Sequence, residues 1–235
     1  MAGLCAALGA LRGVEAVALG GSRATGTADG ASDWDIGLYY RGHPDFSLLA
    51  RHGELHPPGS WGRIMNGGAW LRLDGLKVDV LLRDLDAAEH WSARARDGHY
   101  EVDAPLGYVA GVPTYSLMAE LALNRVVTGT LPRIAEFPPA LARTGAMRWR
   151  QHAEFSLAHA RMRAERGDVV GTVAQGAKAV VEAAHAVVCQ RGEWVLNEKH
   201  LVERAGLREL HAQFTRVPPS TPGLVEWVDA VRGQI

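Results

Sequence analysis

Two aspartates, Asp33 and Asp35, are the residues of this 235-residue chain that are best placed to do chemistry. They open an apolar run that predicts a β-strand over residues 34–40. Because successive strand residues point to opposite faces, the two carboxylates share a face, about 6–7 Å apart along the strand. Two like charges this close need a cation or a shared proton to compensate them. Since Mg²⁺ prefers carboxylate oxygens together with phosphates, the pair predicts a Mg²⁺ site that holds a nucleoside triphosphate.

A turn of small residues precedes these aspartates. The predicted strand over residues 14–19 ends in Gly20-Gly21-Ser22, and the glycines carry no side chain that would obstruct a phosphate approaching the backbone. Ser22 offers a hydroxyl and can start a short helical turn whose free N–H groups attract anions. We therefore predict that Gly21 and Ser22 bind a nucleotide, and that Arg23 either contacts phosphate or is a surface arginine. A Walker phosphate loop is disfavoured, because the lysine that should follow its second glycine is absent.

A third carboxylate lies on a predicted hairpin. The dipeptide Asp74-Gly75 separates two apolar runs within residues 69–82, which is a strong hairpin signal. Asp79 lies in the middle of the second arm, where an aspartate without a partner would destabilise the fold. The simplest explanation is that Asp79 joins the first two aspartates around the metal. The alternative is a structural aspartate whose hydrogen bonds are satisfied by its neighbours.

The order of these residues is informative: a Gly-Ser turn, then Asp-x-Asp, then an aspartate on a later strand. This order resembles the nucleotidyltransferase superfamily that includes DNA polymerase β and the antibiotic nucleotidyltransferases, over about residues 14–83. The resemblance implies a small mixed sheet flanked by helices, with catalytic metals bound by Asp33 and Asp35. It also implies that Asp79 is a third ligand or the base for the attacking hydroxyl, and that the Gly-Ser turn touches the triphosphate.

The rest of the chain predicts two domains. The first part alternates strands and helices, including a helix over residues 114–127, and Pro138-Pro139 is the best boundary. After it, the apolar spacing is helical throughout. We predict an α+β protein with a mixed-sheet nucleotidyltransferase domain at residues 1–137 and an all-α helical bundle at residues 138–235. By resemblance to the aminoglycoside and lincosamide enzymes, the bundle is expected to bind the acceptor.

Three residues of the second domain are functional candidates. Glu182 and His185 share a face of one predicted helix, and either is a candidate general base toward an acceptor hydroxyl. The alternatives are an exposed ion pair of Glu182 with Lys178, and a core or surface histidine. Lys199 lies in an Asn-Glu-Lys segment that resembles one in several nucleotidyltransferase helical domains, so it could reach the phosphates as a point charge. Its alternative is a solvated lysine in a capping segment.

Composition limits the classes of partner. A net charge of −1 disfavours an extended nucleic-acid surface, and no apolar stretch has the length of a membrane span. Cys5 and Cys189 are far apart in sequence, which is typical of thiols in a reducing compartment. Since the apolar N-terminus lacks the positive leading segment of a signal peptide, we expect a cytoplasmic protein. The tryptophans of the first part, Trp61, Trp70 and Trp91, are expected in its core, and the alternative is that they are base-stacking platforms.

Together these features predict an enzyme. The expected reaction is Mg²⁺-dependent transfer of a nucleoside monophosphate from an NTP, expected to be ATP, to a hydroxyl of a small molecule, with release of pyrophosphate. The resemblance implies that the small-molecule acceptor could be an antibiotic such as an aminoglycoside or a lincosamide, and that the biological role could be antibiotic resistance. Two alternatives stay open: nucleotidylation of a protein or RNA partner, as in toxin–antitoxin pairs, and a non-catalytic nucleotide-binding module. The acceptor, the preferred nucleotide and the oligomeric state are not encoded in any motif.

Overall fold

The computed structural model describes residues 1–26, 30 and 32–235. These residues divide into two compact units, each assembled from several segments of the chain. The first unit comprises Met1–Arg94, Glu101–Leu106 and Pro113–Glu136, and the second comprises Ala95–Tyr100, Gly107–Val112 and Phe137–Ile235. The first contains a mixed sheet and the second contains helices, which confirms the predicted α+β class.

Helices and strands alternate up to residue 136. In chain order they are α1 (Ala2–Gly9), β1 (Val14–Leu19), α2 (Gly21–Thr25), β2 (Trp34–Tyr40), α3 (Ser47–Ala50), β3 (Gly53–His56), α4 (Gly62–Met65), β4 (Gly67–Leu73), β5 (Leu76–Asp84), α5 (Leu85–Arg96), β6 (Val102–Asp103), β7 (Val112–Pro113), α6 (Ser116–Leu123) and β8 (Arg125–Gly129). The predicted hairpin is formed by β4 and β5, which are joined at Asp74-Gly75.

The described part of the chain contains one six-stranded sheet, in the order β3-β4-β5-β2-β1-β8. Strands β2 and β5 pair in parallel, and every other neighbouring pair is antiparallel. The prediction of a helix over residues 114–127 is wrong for its last turn. The chain becomes extended at Asn124 (φ −71°, ψ 146°), and β8 then pairs with β1. Sheet pairing at this edge therefore overrides the helical apolar spacing.

The two faces of the sheet differ in polarity. Ile36 and Leu38 on β2, and Val78, Val80 and Leu82 on β5, have no exposed surface. They pack with α1 in one apolar core, and each contributes about 1.5–3 kcal/mol of burial free energy. The alternate residues of the same strands point to the opposite face, which therefore presents polar and aromatic side chains.

A buried ion pair lies on this second face. Arg83 on β5 is 1% exposed, and its Nε and Nη2 donate to the two carboxylate oxygens of Glu120 on α6, at 2.6 and 2.7 Å. The Nη1 group of Arg83 donates to the Met65 carbonyl at 2.8 Å. Because a bidentate pair of this kind fixes both side chains, it anchors α6 to the sheet.

The second unit is built around two long helices. Its elements after residue 136 are α7 (Pro139–Ala164), α8 (Val169–Gln190), α9 (Leu201–Arg204), a 3₁₀ turn (Arg208–Leu210), α10 (His211–Phe214) and α11 (Thr221–Arg232). Helix α8 begins after Asp168, whose carboxylate accepts the Gly171 N–H at 2.8 Å and so caps the helix. Apolar side chains of α7, α8 and α11 form the core of this unit. Among the described residues, the structure contains no helix with the length and apolar character of a membrane span.

Candidate active site

The sheet brings two of the predicted carboxylates together. Asp35 on β2 and Asp79 on β5 are register partners in the parallel pair, and both side chains are half-buried. Neighbouring strands lie about 4.8 Å apart, and register partners share a face of the sheet. The two carboxylates therefore lie side by side on the polar face, although their strands are far apart in sequence.

The glycine turn packs directly against Asp35. The Gly20 N–H donates to the Asp35 carbonyl at 2.8 Å, which fixes the end of β1 to the start of β2. At Gly21 the backbone is left-handed (φ +59°), and a Cβ there would lie only 1.8 Å from Asp35 Oδ2. Both the conformation and the close approach require glycine at position 21. Helix α2 starts at this residue, and Ser22 lies in its first turn.

Arg23 organises the segment that leads into β2. Its Nε donates to the Asp33 carbonyl at 3.2 Å, its Nη2 donates to the Ser32 carbonyl at 2.6 Å, and its guanidinium lies 4.4 Å from the centre of the Trp34 ring. These contacts place the half-buried Asp33 directly before the strand that carries Asp35. Arg23 thus has a structural role in the described chain, and its contact with phosphate stays a prediction.

The donor set of this site is composed of carboxylates. Within the residues that the structure describes, no group of three or more His, Cys, Asp or Glu side chains is arranged to hold a metal ion. Mg²⁺, however, is usually bound by one or two carboxylates and completes its coordination with substrate phosphates and water. The adjacent pair Asp35 and Asp79 fits that pattern, while the complete predicted set with Asp33 stays a prediction.

Aromatic side chains continue the row of carboxylates. Trp70 on β4 is the register partner of Asp79, and its side chain is 51% exposed. The expectation that Trp70 is a core residue is therefore wrong. Its ring centre lies 5.6 Å from that of Trp61 and 4.5 Å from that of His56. Counting back along the hairpin from Asp74-Gly75 could have placed Trp70 opposite Asp79.

Asn124 is a further residue that the sequence does not indicate. Its Oδ1 lies 3.2 Å from the position that a Cβ on Gly20 would take, and its Nδ2 donates to the Tyr39 hydroxyl at 2.7 Å. Asn124 therefore borders the glycine turn. No motif surrounds this residue in the sequence, because it reaches the site only through the packing of α6 against the sheet.

In the second unit, both candidate general bases are buried on α8. Glu182 is 3% exposed, accepts the Ser156 hydroxyl at 2.6 Å and lies 3.9 Å from Lys178 Nζ. Burial raises the pKa of its carboxyl. His185 is 1% exposed and stacks on Trp149, with ring centres 4.4 Å apart. Burial lowers the pKa of His185 to about 3.

Lys199 lies in a turn that hydrogen bonds hold in place. The Asn197 side chain accepts the Lys199 N–H at 2.9 Å. The Glu198 carboxylate accepts successive N–H groups of residues 109–111, at 2.7, 2.7 and 3.2 Å. Three convergent N–H groups form a backbone nest, which favours an anion. The Asn-Glu-Lys segment is thus anchored by its first two residues, and the Lys199 side chain is exposed.

Comparisons with known proteins agree with the geometry of the first unit. No curated protein matches the chain. Residues 4–94 match a protein family described as a nucleotidyltransferase domain. The matched segment spans the glycine turn, Asp35, the β4–β5 hairpin and Asp79. The chain therefore carries a nucleotidyltransferase domain at residues 4–94, followed by a helical region with α7, α8 and α11, and the match supports a nucleotidyltransferase enzyme.

Proposed function

We propose that this chain transfers a nucleoside monophosphate from an NTP, expected to be ATP, to a hydroxyl of a small molecule and releases pyrophosphate. The observation that carries the proposal is the close packing of Gly21 on Asp35, with Asp79 beside it on the next strand. A glycine turn that packs against paired carboxylates suits a triphosphate and its divalent cation. The family match at residues 4–94 supports the same reaction type.

In this proposal Asp33, Asp35 and Asp79 hold Mg²⁺. When bound, Mg²⁺ neutralises charge on the triphosphate and favours ionisation of the attacking hydroxyl. The backbone of Gly21 and Ser22 contacts the triphosphate, and Arg23 keeps Asp33 in position through its carbonyl. Asp79 orients the acceptor hydroxyl. The acceptor oxygen forms a bond to the α-phosphorus while its proton passes to a general base, and the bond from that phosphorus to the bridging oxygen breaks to release pyrophosphate.

We assign acceptor binding to the helical domain at residues 138–235. Glu182 and His185 stay the candidate general bases of this proposal, and both are buried on α8, where Glu182 accepts the Ser156 hydroxyl. A pKa of about 3 makes His185 a weak proton acceptor at neutral pH. Lys199 is proposed to contribute a positive charge toward the phosphates from its anchored turn. A cytoplasmic location and antibiotic resistance remain part of the proposal.

Two other functions share these residues. The same chemistry directed at a protein or RNA partner is the first alternative, and the net charge of −1 disfavours an extended RNA. A non-catalytic nucleotide-binding module is the second alternative. It is disfavoured because each carboxylate that the reaction needs is present.

The test is pyrophosphate release with Mg²⁺ and each of the four NTPs, against a panel of aminoglycosides and lincosamides. We expect release that requires one acceptor and is lost in Asp33→Asn, Asp35→Asn and Asp79→Asn. The matched control is Asp74→Asn, an exposed aspartate at the tip of the same hairpin, where asparagine accepts the left-handed backbone (φ +50°). Near-normal release by Asp35→Asn would refute the assignment. Mg²⁺-dependent NTP binding without release for any acceptor would favour one of the alternatives.

A further inference from the structure

A single row of register partners crosses the polar face of the sheet. It runs from Trp70 on β4 to Asp79 on β5 and to Asp35 on β2. Because β5 lies between β4 and β2, the carboxylates have an aromatic ring on one side and the glycine turn on the other. Each step along this row is about 4.8 Å. The indole of Trp70 is therefore one strand away from Asp79.

Trp70 is 51% exposed, and its ring is in contact with two other aromatic rings. Trp61 stacks on it, with ring planes 29° apart, and the planes of the His56 and Trp70 rings meet at 67°. Trp61 can approach the sheet because Gly68 has no side chain: a Cβ there would lie 2.5 Å from the Trp61 ring. A tryptophan that is 51% exposed and whose ring is still held by two neighbours is preorganised for stacking.

The position of the ring decides which reactant it suits. In the proposed reaction the triphosphate lies at Gly21, on the β2 side of the carboxylates. The Trp70 side, on β4, is then left to the second reactant, with Asp79 between the two. The flat face of an indole packs against an aromatic ring or against the C–H face of a saturated ring. A ring on Trp70 would bring its own hydroxyl substituent toward Asp79.

We propose that Trp70 is a specificity-determining residue of the acceptor site and that the acceptor is a hydroxylated ring compound stacked on its indole. This inference rests on the proposed function and deepens it. If the acceptor ring stacks on Trp70, acyclic hydroxyl compounds should be poor acceptors, because they have no flat face that can pack against the indole. This stacking also separates the two substrates: loss of Trp70 weakens the acceptor and leaves the nucleotide unchanged.

The experiment compares Trp70→Ala and Trp70→Phe with the wild type. Leu76→Ala is the matched control, since Leu76 is 45% exposed on the same hairpin and lies at its tip. Pyrophosphate release is measured with the ring-containing aminoglycosides and lincosamides, and with glycerol as an acyclic probe. We expect Trp70→Ala to raise the KM for the ring acceptor at least 10-fold, which corresponds to about 1.4 kcal/mol. Trp70→Phe should recover most of this loss, and the KM for NTP should stay unchanged.

A second measurement keeps the inference testable without turnover. Saturation-transfer NMR of the same panel reports binding of each ring compound to the wild type and to Trp70→Ala. Unchanged acceptor KM or unchanged ring binding in Trp70→Ala overturns the inference while the proposed function stands. Equal losses for NTP and acceptor, or no ring compound bound by the wild type, also overturn it. Failure of the proposed function is seen separately, as absence of pyrophosphate release by the wild type and by Leu76→Ala with every NTP and acceptor, whether or not NTP binds in the presence of Mg²⁺.

Discussion

Replacing Gly21 by alanine tests whether the glycine turn positions the Asp35 carboxylate. The added Cβ would lie 1.8 Å from Asp35 Oδ2, whereas real Cβ contacts essentially never fall below 3.0 Å. The carboxylate must therefore withdraw by about 1.2 Å, or the turn must move by the same amount. A displacement of about 1 Å at a reacting centre lowers turnover about 100-fold. We expect kcat/KM for pyrophosphate release to fall by about that factor.

The same substitution also strains the backbone, so a control must separate the two effects. A non-glycine residue in the left-handed region costs about 1–2 kcal/mol. Gly42 has the same kind of backbone (φ +69°), and a Cβ there meets no described atom within 4 Å. Gly42→Ala should lose a similar free energy of unfolding, measured by urea denaturation, and keep wild-type kcat/KM. Wild-type activity in Gly21→Ala, or an equal loss of activity in Gly42→Ala, would show that the glycine turn does not position the Asp35 carboxylate.

Two further predictions concern buried ionisable side chains. Because the pKa of His185 is about 3 in the folded protein and about 6.5 in the unfolded chain, its neutral form is favoured by folding. The part of the unfolding free energy that comes from the neutral imidazole is therefore fully present above pH 6.5 and is lost as the pH falls toward 3. The wild type should lose about 2 kcal/mol more unfolding free energy than His185→Phe between pH 7 and pH 5, and parallel pH profiles would contradict this. Glu120→Gln should destabilise the protein by about 3–5 kcal/mol in urea denaturation, because the buried Arg83 guanidinium loses its carboxylate. The double variant Arg83→Met/Glu120→Leu should recover most of that lost stability. A double variant as unstable as Glu120→Gln would argue against the charge explanation.

Local signals in the sequence determined the core of the candidate site. The apolar runs around Asp33-x-Asp35 and the Asp74-Gly75 turn predicted β2 and the β4–β5 hairpin with nearly correct bounds. Such signals succeed because strand alternation and turn chemistry depend on residues that are near one another in the chain. The glycine turn was predictable for the same reason, since the absence of a side chain is a property of each residue alone.

Tertiary packing alone decided the remaining features. The parallel pairing of β2 with β5 places Asp35 beside Asp79, and strand register across a crossover is not encoded in either strand by itself. Likewise, β8 becomes a strand because β1 offers an edge to pair with, although its residues have helical spacing. The spacing of Glu182 and His185 places them on one helix face, but only the packing of α7 on α8 buries that face. Periodicity defines which residues share a face, whereas the neighbour that covers the face depends on contacts distant in sequence.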